Sequence, residues 1–91
     1  MRIPMVERAL TTEEQAYVAP RARMIAQIDL IVASAAKGDS WLNERQHERR
    51  RLNRQVRNYL IDRRVLAATF TDEQGRHREV DLGHLRKVIF K

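Results

Sequence analysis

The sequence contains no cysteine, so no disulfide supports the fold and neither a thiolate nucleophile nor a thiolate metal site can be built. Glycine occurs at only three positions, Gly38, Gly75 and Gly83, too few for a phosphate-cradling loop. No run approaches the ~20 consecutive apolar residues of a membrane span. Residues 1–5 hold one Arg with no apolar stretch behind them, so no secretory signal is read. A chain of 91 residues makes one domain, burying about 60–65% of its unfolded surface. A thin core without a covalent staple points to self-association or docking on a larger assembly.

Catalytic chemistry is also missing. His47, His77 and His84 lie far apart and lack acidic neighbours at metal-ligand spacing, so they read as solvent-facing side chains. Ser34 falls mid-helix without an elbow motif, and Ser40 is explained as a helix cap. The carboxylate pairs Glu13/Glu14 and Asp72/Glu73 are accounted for by a helix start and a turn. A buried acid/base pair needs a cleft that so small a chain hardly makes alone. No cofactor, metal or small-molecule substrate is expected, and the chain reads as non-enzymatic.

What the sequence does hold is positive charge, +6 in total and unevenly placed. Residues 1–40 carry five basic and five acidic side chains, and residues 65–91 carry five basic and four acidic. Between them, residues 41–64 carry eight Arg against Glu44, Glu48 and Asp62. Arginine dominates that segment, and its planar fork suits carboxylate or phosphate.

Periodicity organises the rest. Residues 1–10 show no period and read as an arm. Thr11 and Glu14 stand at capping-box spacing and open a first helical region over 11–37, with Pro20 either ending a short helix near Ala19 or opening the main one. Met24, Ile25, Ile28, Ile31, Val32 and Ala35 form one helical face, which Gly38 stops. Asp39-Ser40 caps a second, Arg-rich helix over 40–63, with Leu52, Val56, Tyr59 and Leu60 as its stripe. From Asn43 to Arg51 that helix has no apolar residue, and extending the stripe backward lands on Arg49, Arg45 and Leu42. Alternation with Leu66, Ala68 and Phe70 on one face, a turn at Asp72–Gly75, and Val80 and Leu82 beyond it predict a β-hairpin over 65–82. Residues 82–90 read as a short helix with Leu82, Leu85, Val88 and Ile89 inward, or else as a strand at Val88-Ile89-Phe90. The expected fold is α+β and mainly helical: an antiparallel helix pair, a β-hairpin and a short C-terminal helix.

The Arg-rich run has two readings. It is a solvated helix face with partial local pairing, or it is a contact surface for an anionic partner. In the second reading Arg45, Arg49, Arg50, Arg54 and Arg57 meet phosphate or carboxylate, with Arg76 and Arg78 of the hairpin assisting and Gln46 and Asn53 reaching base edges. On a protein partner, Trp41, Tyr17 and Tyr59 are the candidate interface anchors.

From Leu60 to Ile89 the order of motifs resembles a known family. Leu60-Ile61-Asp62-Arg63-Arg64-Val65 leads into Ala68-Thr69-Phe70-Thr71, then Gly75-Arg76, Glu79-Val80, Asp81-Leu82 and Leu85-Arg86. That order is similar to the gpW-like head–tail joining proteins of tailed bacteriophages, over about a third of the chain. The N-terminal helix and a closing helix of only two turns depart from the family pattern. The resemblance implies a virion assembly protein, a connector subunit found in the virion and host cytoplasm. It would form a homo-oligomer or dock on a ring-shaped partner. The alternative is a small basic DNA- or RNA-binding regulator working through the Arg-rich helix and the hairpin.

Overall fold

Thr11 opens the first helix as its spacing dictates. Its hydroxyl accepts from the Glu14 amide (3.2 Å), while the Glu14 carboxylate accepts from the Thr11 amide (2.9 Å). The computed structural model describes residues 4–35, 41–83 and 87–91. Helix α1 spans Thr12–Ala33, with Pro20 inside it. Both expected placements of the proline, at an end or at a start, are therefore corrected. Val18, Ala19, Ala22, Ile25 and Ile28 are buried on either side of it. At about 1.5–3 kcal/mol for each large side chain, that burial outweighs the ~3 kcal/mol cost of an interior proline. Arg21, next in the chain, donates its Nη1 to the Tyr17 carbonyl at 2.9 Å.

Helix α1 also stops earlier than expected. The Ser34 hydroxyl donates to the Leu30 and Ile31 carbonyls (3.1 and 3.2 Å), taking up acceptors at the helix end. Gly38 and the Asp39-Ser40 cap expected for the second helix lie outside the described residues. Helix α2 spans Trp41–Asp62 and buries Leu52, Val56 and Leu60. The pair is antiparallel, as expected. Tyr17 stacks on Tyr59 with centroids 4.0 Å apart, Arg21 Nε donates to Gln55 Oε1 (3.1 Å), and Arg49 meets Asp29 (2.6 Å). Rising numbers in α1 meet falling numbers in α2.

Beneath the helices lies a mixed sheet of four strands: β1 (Val6–Ala9), β2 (Val65–Thr71), β3 (His77–Asp81) and β4 (Ile89–Phe90). Their spatial order is β1-β2-β3-β4, with β1 parallel to β2 and the other pairs antiparallel. The β2–β3 hairpin is the one the alternation predicted. Gly75 takes φ +78° at its turn, in open space, where a side chain would meet backbone strain rather than a clash. One register shift between Val6 and Glu7 lets Val65 point inward along with Ala68 and Phe70, leaving Leu66 half-buried.

Two expectations about the chain ends are corrected. Residues 6–9 are not an arm but the edge strand β1, tied by Val6 donating to the Arg64 carbonyl and Leu10 to the Thr69 carbonyl (both 2.9 Å). No apolar alternation betrayed it, because its inward-facing side chain is Arg8, neutralised by Glu14. At the other end, the preferred C-terminal helix gives way over 89–90 to strand β4, the alternative reading of that segment; residues 84–86 lie outside the described residues. Glu79 and Lys91 exchange backbone hydrogen bonds (3.2 and 2.9 Å), and the Asn53 amide bonds Val88 on the other edge. Leu82, Val88 and Ile89 suit a helix and a strand equally, so an unfilled edge of β3 decided between them.

The inward face of the sheet and the helices enclose the main core, which includes Val18, Val56, Leu60, Val65, Phe70, Val80 and Leu82. Further along the helices, Ile25, Ile28 and Leu52 form a second cluster, and Phe90 packs against both. The helices, about 33 Å long at 1.5 Å per residue, overhang β4. That overhang leaves an open groove.

Candidate functional site

Arg50, Arg54 and Arg57 recur at helical spacing and form one face of α2. That face turns toward the space under the overhanging helices and beside β4. An open groove of about 580 Å³ results, walled by α1, α2 and the β3–β4 edge. From α1 come Ile25, Ala26 and Asp29; from the sheet come Arg78, Lys87 and Val88–Phe90. Cations thus surround a floor that is partly apolar. Among the described residues Asp29 is the one carboxylate of the lining, and it accepts from Arg49 Nε at 2.6 Å.

Each arginine expected to bind has a definite place. Arg49 sits half-buried on the helix seam, as the backward extension of the stripe predicted, and is committed to Asp29. Arg45 faces outward, 3.5 Å from Glu48, and is not part of the groove wall. Arg50 and Arg54 are exposed in the groove with no ion pair or hydrogen bond among the described residues. Arg78 lines the groove while its Nε donates to the Lys91 carbonyl (3.1 Å). Arg76 remains at the hairpin turn, bonding Gln74 and lying 3.6 Å from Asp72. The groove gathers Arg49, Arg50, Arg54, Arg57 and Arg78, and leaves out Arg45 and Arg76.

The proposed readers and anchors separate in the same way. Asn53 spends its side chain on Val88, donating to the carbonyl (3.3 Å) and accepting from the amide (2.9 Å), so it builds the groove rather than facing a ligand. Tyr59 is half-buried under Tyr17, and the guanidinium groups of Arg21 and Arg63 cover the two rings at 3.7 and 4.5 Å. Trp41, 37% exposed at the start of α2, lies away from the groove lining. Lys87, Asp29, Ile25 and Phe90 carried no sequence signal as site residues. Their convergence depends on β4, which only tertiary pairing placed.

Away from the groove, one ion pair carries the strongest electrostatics. Arg8 donates to both Glu14 oxygens (2.5 and 2.6 Å), and Arg63 approaches to 3.6 Å. With the Arg8 hydrogen bond as the largest cause, and the Thr11 amide helping against burial, the Glu14 carboxyl is held down from 4.5 to about 2. Asp72 is also lowered, chiefly by accepting from the Arg76 amide and then from Gln74, an Asx turn that fixes the hairpin. Both are structural roles.

The opposite sheet face has no covering layer among the described residues. Ala9, Thr69 and Glu79 are exposed there, beside Glu7, Asp81 and Lys91, around a shallow depression of about 430 Å³. Among the described residues no group of three His, Cys, Asp or Glu is placed to hold a metal ion, and no helix is long and apolar enough to cross a membrane. Comparison with protein-family models, curated proteins and solved structures finds no match to this chain.

Proposed function

We propose that this chain is a non-enzymatic binding protein that takes nucleic acid along the arginine-lined groove. One observation supports it above the others: Arg50, Arg54 and Arg57 from α2 face Arg78 and Lys87 across a single concavity, and the one carboxylate among its described residues, Asp29, is already paired. Five cations on one side of a small protein make a field that attracts phosphate and speeds encounter. A merely solvated helix face does not require cations from a second element to converge on it.

The test is the salt dependence of binding. Affinity for nucleic acid should fall steeply with salt. Arg50→Gln with Arg54→Gln should flatten the log–log slope by about 0.9 for each duplex phosphate no longer neutralised, or about 0.7 on a single strand. A slope the double variant leaves unchanged would remove the groove from the reading.

A second reading is a connector subunit docking on a ring-shaped partner, as the resemblance over residues 60–89 implies. The uncovered sheet face, with Ala9 and Thr69 exposed between acidic side chains, favours it as ready contact area for a neighbour. Native mass spectrometry separates the two. A ring subunit gives high oligomers without nucleic acid, whereas a nucleic-acid binder gains mass only when an oligonucleotide is added.

A further inference from the structure

We infer that the groove takes single-stranded nucleic acid, with unstacked bases on its partly apolar floor and phosphates on its arginine rim. This rests on the nucleic-acid reading above and narrows it. Three features carry the distinction. First, the cations line a concavity. A duplex is read by elements that protrude into its grooves, the major groove being about 12 Å wide. Here the Arg50–Arg54 face of α2 is walled by α1 on one side and β4 on the other. A duplex reaches only the exposed arginines at the rim, whereas a flexible single strand can also enter between the walls.

Second, the floor is partly apolar. Ile25 and Val88 are buried in it, Ile89 is 38% exposed, and Phe90 is half-buried with its ring in a T-shaped contact with Phe70, centroids 6.2 Å apart. Duplex phosphates gain nothing from such a floor. A splayed-out base gains a surface for its flat face, as in grooves that track one strand and stack its bases. Third, the size fits. A groove of about 580 Å³ falls within the range of about 300–1,000 Å³ that suits small-molecule and nucleotide-sized ligands.

The experiment measures fluorescence anisotropy of the full chain with a labelled oligothymidylate of about 12 nucleotides, with the same strand annealed into a duplex, and with polyglutamate. The single strand should bind at least about tenfold more tightly than the duplex, with polyglutamate a poorer competitor than unlabelled strand. Phe90→Leu, which keeps an apolar side chain between the two core clusters, should weaken single-strand binding about five- to hundredfold, the range for removing one base-stacking ring. The wild-type ratio stands as a test even if that variant fails to fold. Duplex affinity equal to or above that of the single strand overturns this inference while leaving the nucleic-acid reading in place. No binding to either nucleic acid, or polyglutamate binding more tightly than both, overturns the reading itself.

Discussion

Glu14 is the most exacting residue in the molecule. Two percent exposed, it accepts from Arg8 and from the Thr11 amide, and so joins β1, the cap and α1 at one point. Because its folded value is depressed from 4.5 to about 2, its contribution to stability is complete above the unfolded value and is lost as pH falls through the folded one. Stability should therefore decline between about pH 4.5 and pH 2, followed by denaturant unfolding across that range. Glu14→Gln should cost about 2 kcal/mol at neutral pH, the size of a charge-assisted hydrogen bond with its partner left unpaired. It should also flatten that acid decline. An unaltered acid limb in the variant would move the titration to another carboxylate. Arg64 is the other demanding position, holding φ 59° where helix ends usually place glycine. Its carbonyl receives the Val6 amide, so the strained turn is what aims β1 at β2.

At the level of elements, β4 matters most and is the least self-sufficient. Two residues of strand survive because one edge pairs with β3 and the other receives the side chain of Asn53, which imitates a neighbouring strand toward Val88. Asn53→Ala removes both bonds and leaves the Val88 groups without that partner. The expected outcome is a loss of about 1–3 kcal/mol and early hydrogen exchange confined to residues 88–91, with the α2 amides still protected. Uniform loss of protection would mean that Asn53 supports the whole core rather than this strand. The capping box, the amphipathic stripe of α2 and the hairpin with its Gly75 turn were legible because local spacing and local energetics agree. Strand β1 was not: a polar tetrapeptide becomes a strand only when a parallel partner lies beside it.

On the scale of the whole molecule, two apolar clusters share Phe90, one over the sheet and one between the distal halves of the helices. Their linkage predicts one cooperative transition. Leu52→Asp, placing a carboxylate beside Ile25 and Ile28 in the helix seam, should abolish the folded state by circular dichroism, since an unpaired buried charge exceeds what a small domain can absorb. Retention of helix and sheet in that variant would show that the distal cluster is dispensable. The same overhang that creates this second cluster leaves α2 facing an open groove beside β4. A region of strong positive charge thereby lines a shaped groove.

By itself the sequence determined the class of the fold, the helix pair and its polarity, the hairpin, and the segment that carries the excess positive charge. Each follows from interactions between residues close in the chain, or from an apolar stripe that must be covered. Only the tertiary structure decided that Pro20 stays within a helix, that residues 6–9 and 89–90 complete the sheet, and that Lys87 and Arg78 face Arg50, Arg54 and Arg57. Those outcomes depend on edges, walls and partners supplied by distant residues, and short-range periodicity holds no record of them.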